Sequence, residues 1–403
     1  MSVIIIGCGG SGSAIASQLS GYGIDRIKLA DYSLATAENL MEKLQKTKSG
    51  IEFEAITLNA EKTTEVKKAL AGTDVVINSA SPLCNISIMK ACIISGTNYI
   101  DLASDPFSYP GVAPNTTLDS QMMLNGAFEK KGLIAVTNAG ASPGFSDILC
   151  KHAAKKYGME AIKHVKIYFA EVIESDRLIV GWSPYIFLLE SLFPATVYQN
   201  KNISEIAFQK RQKKIKFPQP VGKMNVTLLN GHPELRTIPE FMNIPVEYVE
   251  IGGGVLLNSS ESYDIIMEAL SRRIKESVIL NGDILKNMSM EFEHPDKLVE
   301  YYNEGFVKKE LLSCSIDILG VKQNKKVQYN ASVTLDIKKV TKTSPLASAT
   351  SYMVSVAPSI IAKKIIEGDI AEKGVIAPAA LDSASDIVEE SKNMGLNLKE
   401  KVS

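Results

Sequence analysis

The feature that most constrains this chain is its opening. A β-branched run, Val3-Ile4-Ile5-Ile6, is stopped by Gly7-Cys8-Gly9-Gly10-Ser11-Gly12. Four apolar residues ended by glycine suit a strand buried on both faces. The glycines at 7, 9 and 12 match the GxGxxG spacing, and a helix is predicted from Ser11 to Ser20. A second strand, Arg26 to Asp31, ends in an acid 19 positions after Gly12. Each part has a physical role. Gly7 permits a tight turn, Gly9 lets a diphosphate approach the backbone, and Gly12 lets helix pack on strand. The helix N-terminus offers N–H groups and partial positive charge to phosphates. Asp31 suits hydrogen bonds from a ribose diol and would repel a 2′-phosphate. Tyr32 and Ser33 follow it, with no arginine, so NAD is favoured and NADP remains possible.

The alternation continues. Helical spacing over Leu34 to Lys46, Glu61 to Ala71, Asn85 to Ser95 and Thr116 to Lys131 separates predicted strands at Ile51 to Leu58, Asp74 to Asn78, Asn98 to Leu102 and Leu133 to Thr137. Strict β-α alternation with short turns predicts a Rossmann-type, doubly wound parallel sheet in an α/β protein. Beyond about residue 160 the strand-like runs lengthen and crowd together: Val165 to Val172, Met224 to Leu229, Val246 to Ile251, Leu311 to Leu319 and Val327 to Leu335. Helices are predicted at Tyr263 to Lys275 and Pro295 to Glu304. This pattern predicts an α+β second domain with a largely antiparallel sheet. A last helix, Pro358 to Glu367, is expected to return to the first domain. The expected division is 1–145, 146–345 and 346–403.

Composition removes several classes of function. With 403 residues, 44 Lys+Arg and 45 Asp+Glu, the net charge of -1 speaks against binding nucleic acid or membrane through charge. The five cysteines are odd in number and lack a CxxC pair, and the four histidines lack metal-helix spacing, so no metal is expected. The N-terminus carries no basic leader, and the apolar stretch Leu178 to Tyr198 is broken by Pro184, Glu190 and Pro194. A cytoplasmic protein is the expectation.

Three further segments sit at predicted strand ends. Ser79, Ala80 and Ser81, following Asn78, can approach the ribose and nicotinamide of a cofactor or cap the next helix. Asp101 can shuttle a proton or bond neighbouring backbone. Pro143 and Gly144, within Gly140-Ala141-Ser142-Pro143-Gly144, can hold a carboxamide, hold a substrate carboxylate or form a plain turn.

With these residues the chain resembles the saccharopine dehydrogenase family in its broad sense, which includes lysine 6-dehydrogenases, carboxynorspermidine dehydrogenases and homospermidine synthases. Further resemblance lies in Gly181-Trp182-Ser183-Pro184, Phe217-Pro218-Gln219-Pro220, His232-Pro233-Glu234 and Lys373-Gly374-Val375-Ile376-Ala377-Pro378. The resemblance implies an inserted catalytic domain that dimerises, hence a homodimer, and NAD(P)-linked oxidation of a C–N bond in an amino-acid-like substrate. Fungal-type saccharopine reductases carry Asp-Pro-Gly where this chain has Ser142-Pro143-Gly144, and Cys-Gly-Gly near Phe169-Ala170-Glu171-Val172. The lysine-6-dehydrogenase-like branch fits at least as well.

Carboxylates of such substrates want Arg or Lys, and the candidates are Arg177, Lys223 and Arg236. His232, Glu234 and Arg236 lie within five residues and together suit a zwitterion. Trp182, the only tryptophan, either stacks on substrate or packs in a core or interface. His152 and His164 are expected to be structural, and His294 to start a helix. The expected reaction passes hydride from a C–H beside nitrogen to NAD, leaving an imine that water hydrolyses, with Asp101 or His232 moving the proton. Rival readings are a polyamine-precursor dehydrogenase, a non-catalytic NAD-binding protein and a methyltransferase.

Overall fold

The computed structural model describes residues 1–48, 50–105, 117–192, 194–207, 210–257 and 289–403. The helix expected at Tyr263 to Lys275 lies outside them. In chain order the first elements are β1 (Ser2–Ile6), α1 (Gly10–Leu19), β2 (Arg26–Asp31), α2 (Leu34–Gln45), β3 (Glu52–Thr57), α3 (Thr63–Ala69) and β4 (Val75–Asn78). There follow α4 (Asn85–Ser95), β5 (Asn98–Asp101), α5 (Leu118–Met122), α6 (Asn125–Lys131), β6 (Ile134–Val136) and α7 (Ser146–Tyr157). The middle of the chain holds β7 (Ala161–Ser175), α8 (Pro184–Leu192), β8 (Thr196–Gln199), β9 (Asn202–Glu205), β10 (Gln212–Lys216), β11 (Lys223–Leu228), α9 (Glu234–Phe241) and β12 (Tyr248–Leu257). Last come α10 (Leu298–Glu304), β13 (Val307–Lys322), β14 (Lys325–Asp336), α11 (Ile337–Thr343), α12 (Ala349–Glu367), β15 (Gly374–Ile376), α13 (Ala384–Asn393) and β16 (Lys399–Val402).

Two compact units result. The first comprises Met1–Lys156, Arg236–Asn243 and Tyr352–Gly395. Its parallel sheet has the order β15-β6-β5-β4-β1-β2-β3. The order reverses between β1 and β4, the switch point beside which ligands bind in such sheets. Val3, Ile4, Ile5, Val75, Val76 and Ile77 are fully buried, as expected of strands covered on both faces. Two local expectations change. The helix expected through Lys131 breaks at Met123 and Leu124 into α5 and α6. The segment around Val375, read only as part of a motif, adds a seventh strand beside β6.

The second unit comprises Tyr157–Leu235, Ile244–Ser351 and Leu396–Ser403. Its sheet runs β10-β11-β12-β7-β13-β14-β16, with β8 beside β12 and β9 beside β8. Among the strands described, β12 and β7 pair in parallel and the other pairs are antiparallel. The C-terminal segment, expected to return whole, is divided. Helix α12 runs through Pro358 and starts nine residues before it, while β16 joins the second sheet against β14. Pro358 has no N–H for the carbonyl one turn back, but burial of Val356, Ala357, Ile360 and Ile361 holds the helix together.

Candidate active site

In the first unit the site is made of backbone. Gly7 has φ +95°, and a Cβ there would lie 2.7 Å from the Ala80 nitrogen. A Cβ on Gly12 would lie 1.9 Å from the Gly7 oxygen. Both positions therefore require glycine. Helix α1 begins at Gly10 with Gly9 as N-cap, and no side chain caps it. Gly9, Gly10 and Ser11 are all partly exposed, so the helix end is open to an anion.

Asp31 is fixed against this loop. Its Oδ2 accepts the Cys8 N–H at 2.8 Å and its Oδ1 the Ser33 N–H at 2.9 Å. This places a carboxylate at the end of β2, where the fold presents the adenosine ribose. The β4 end supports the loop from beneath. Ser79 donates through Oγ to the Gly7 carbonyl at 2.6 Å, and Ser81 caps the turn that follows, accepting the Leu83 N–H at 3.3 Å. Ser79 and Ser81 are thus occupied with the protein's own backbone.

Asp101 is 1 % exposed. It accepts the Asn138 N–H at 2.7 Å and the Gln121 amide at 2.5 Å, and burial pushes its carboxyl up to about 7. Asp101 ties β5 to the turn after β6, and this buried strap differs from the open crevice position expected of a proton carrier. Gly144, with φ +122°, packs so that a Cβ would lie 2.6 Å from the Ala139 carbonyl carbon. Its N–H is donated to Asp147 at 3.0 Å, and Asp147 also accepts the Thr237 hydroxyl. Pro143 is buried in the same turn.

In the second unit the site is made of side chains. The Nδ1 of His232 lies 2.6 Å from Glu234, and its Nε2 lies 3.7 Å from Glu190 on α8. His232 is 4 % exposed and Glu234 fully buried. Phe169, on β7, sets its ring 6.4 Å from His232 and 5.6 Å, edge-on, from Trp182. Trp182 in turn stands edge-on to Phe187 at 5.7 Å. Gly253 on β12 makes room, since a Cβ there would lie 2.6 Å from the Phe169 ring. Two residues along β7, on the same face, Glu171 is fully buried. The result is an aromatic and acidic cluster around one imidazole.

The expected cations lie elsewhere. Arg177 stacks over the Phe306 ring at 4.9 Å. Lys223 is exposed, paired in register with Lys216. Arg236, expected to act with His232 and Glu234, belongs to the first unit. Its guanidinium binds Glu240 at 2.7 Å and Asp119 at 2.8 Å. The structure therefore joins His232 to Glu234, while Arg236 pairs with Glu240 and Asp119. Sequence reading missed Glu190 and Phe169 as site residues. A charged residue inside the apolar run of β7 was the available signal for Glu171, whereas Phe169 looks like any core residue. His294 caps the turn before α10, as expected. Among the described residues no group of three or more His, Cys, Asp or Glu could hold a metal ion, and no helix is long and apolar enough to cross a membrane.

Comparison with known proteins extends this picture. The chain matches the saccharopine dehydrogenase NADP binding domain over residues 3–136 and the saccharopine dehydrogenase C-terminal domain over residues 140–396. Carboxynorspermidine synthase of Vibrio cholerae is 26% identical over 264 residues, 63% of each chain. Carboxyaminopropylagmatine dehydrogenase of Synechocystis is 27% identical over 177 residues, 43% of this chain and 41% of that one. The match thus spans less than two thirds of these relatives' length. Saccharopine dehydrogenase (L-Glu forming) of Saccharomyces cerevisiae has the same fold, with TM-score 0.69 at 17% identity over 100% of this chain and 99% of that one. So does homospermidine synthase of Legionella pneumophila, solved with NAD, with TM-score 0.66 at 16% identity over 100% and 91%.

Proposed function

Because the chain belongs to the saccharopine dehydrogenase family, we propose that it is an NAD(P)-linked oxidoreductase that makes or breaks a carbon–nitrogen bond in a carboxylated polyamine. The observation that carries the substrate class is the acidic and aromatic cluster of Phe169, Trp182, Glu190, His232 and Glu234. An amino acid with several carboxylates calls for arginine. The arginines and lysine expected to supply it are stacked, exposed on a hairpin or ion-paired. A polycationic amine calls for carboxylates and ring faces, which are worth roughly 0.5–2 kcal/mol per desolvated cation–π contact. The curated relatives, carboxynorspermidine synthase and carboxyaminopropylagmatine dehydrogenase, support the same class. This moves the substrate from lysine or saccharopine to the polyamine alternative.

The α1 N-terminus at Gly9, Gly10, Ser11 and Gly12 holds the diphosphate. Asp31 holds the adenosine ribose, which favours NAD over NADP. Ala80, Pro143 and Gly144 remain as backbone-bearing neighbours for the nicotinamide end. The bound nicotinamide supplies or takes up the hydride at the carbon beside nitrogen. His232 manages the proton: Glu234 fixes its Nδ1, and its Nε2, 3.7 Å from Glu190, exchanges a proton with the amine. Oxidation of the secondary amine gives an imine, and addition of water splits it into a primary amine and an aldehyde.

Incubation of the purified chain with NAD and carboxynorspermidine, followed at the nicotinamide absorbance, tests the reading. Turnover about tenfold faster than with saccharopine or lysine supports it. Equal or better turnover of either amino acid, or none with all three, refutes it.

A further inference from the structure

We infer that Glu171 is a positioning residue for Trp182, its buried carboxyl group fixing the Gly181–Trp182 backbone so that the indole stands edge-on to Phe169. The inference rests on the proposed amine site, in which Trp182 supplies a ring face. Glu171 lies on β7 between buried Ala170 and Val172, where an apolar side chain would pack at no electrostatic cost. Its Oε2 accepts the Gly181 N–H at 2.9 Å and its Oε1 the Thr350 hydroxyl at 2.7 Å. A Cβ on Gly181 would lie 1.8 Å from that carboxyl oxygen. The chain therefore passes directly over the Glu171 carboxyl and turns into Trp182 at the next residue.

A second buried carboxyl completes the arrangement. Glu310 on β13 accepts the N–H groups of Ala349 at 2.9 Å and Thr350 at 3.0 Å, at the start of α12. Burial raises the Glu310 carboxyl, and its two N–H donors and the helix end act against that rise. Glu171 has one N–H and one hydroxyl. Burial, with Glu310 nearby, raises its carboxyl to about 8. Around it, β13 contributes Glu310 and Cys314, and β12 contributes uncharged Val255 in register. The α12 end contributes Thr350. His232 lies beyond the Phe169 ring, with Glu190 and Glu234 beside it. Among the described residues neither Glu171 nor Glu310 pairs with a lysine or arginine. At neutral pH the raised Glu171 carboxyl holds its proton; on ionisation the Gly181 N–H and Thr350 hydroxyl bonds it accepts strengthen, so the latch tightens and the surroundings of Trp182 change with its charge.

The lone tryptophan makes this readable without substrate. Emission of Trp182 in the full chain, titrated from about pH 6 to 9.5, is expected to show a transition with a midpoint near 8. Glu171→Gln, which cannot ionise, is expected to abolish it, and Glu310→Gln to move the midpoint down. A flat wild-type titration overturns the inference, as does a transition that persists unchanged in Glu171→Gln. If Glu171→Gln fails to fold by circular dichroism, Glu310→Gln decides: a lowered midpoint supports the latch and an unmoved one overturns it. The same titration with carboxynorspermidine present separates the two readings. A pH transition with no response to the amine leaves the latch standing and removes the amine site.

Discussion

The two units use carboxylates in opposite ways. In the first, Asp31, Asp101 and Asp147 each accept backbone N–H groups and brace turns beside the parallel strands. In the second, Glu190 and Glu234 flank an imidazole, while Glu171 and Glu310 are buried with no lysine or arginine partner among the described residues. A loop proposed to recognise phosphate needs donors aimed outward, and here Asp31 braces it through the Cys8 N–H from the end of β2. A site proposed to recognise ammonium needs the acids themselves.

The largest expected effect comes from attacking the backbone site. Gly12→Val places side-chain atoms on the Gly7 carbonyl, already 1.9 Å from a Cβ. Calorimetric titration should show dinucleotide affinity falling about 100-fold, roughly 2.7 kcal/mol. Unchanged affinity would mean that the loop is not the diphosphate site. Next comes the side-chain site: His232→Ala should lower kcat about 10²- to 10⁴-fold while dinucleotide affinity stays put. A matching loss of cofactor binding would show that the two sites are not separable as drawn.

How much of this contrast the sequence exposes depends on the physics of each site. Gly7 and Gly12 are legible because no other residue fits their backbone, and Asp31 because it sits at a fixed distance along one β-α-β unit. His232 and Glu234 are legible because they are neighbours in the chain. Glu190, Phe169 and Glu310 are not, since what matters is a contact closed only by the second sheet. Arg236 illustrates the converse. It stands two residues from Glu234, yet α9 turns it toward Asp119 and Glu240. The strands of the first unit read well from their apolar runs. Strand β15 is too short to announce itself, and Pro358 masks a helix that packing sustains.

Acid–base behaviour sharpens the comparison at smaller amplitude. Asp101 and Glu171 both have carboxyls raised by burial, from ordinary values of 3.8 and 4.5 to about 7 and about 8. Between the unfolded and folded values the native state holds a proton that the unfolded chain has released, so stability falls as pH rises through that window and levels off above it. Thermal unfolding of Asp101→Asn and Glu171→Gln should show a shallower decline, over about pH 4 to 7 and pH 4.5 to 8 respectively. A slope identical to wild type in both would contradict the assigned protonation.

The smallest effect is expected at Arg236. Arg236→Ala removes partly exposed ion pairs worth about 0.2–1 kcal/mol. Melting should shift by a few degrees at most, and KM for the amine should stay within about twofold. A selective rise in that KM would restore the zwitterion-binding role read from the sequence.

The bare Gly253 backbone beneath the Phe169 ring carries a consequence for how related chains diverge. The two positions share one volume, so neither can drift alone. A lineage that acquires alanine at 253 should carry a shorter side chain at 169, and would thereby reshape the wall on which Trp182 leans. Substrate preference among cousins could then be sorted by reading two columns of an alignment together, before any assay is run.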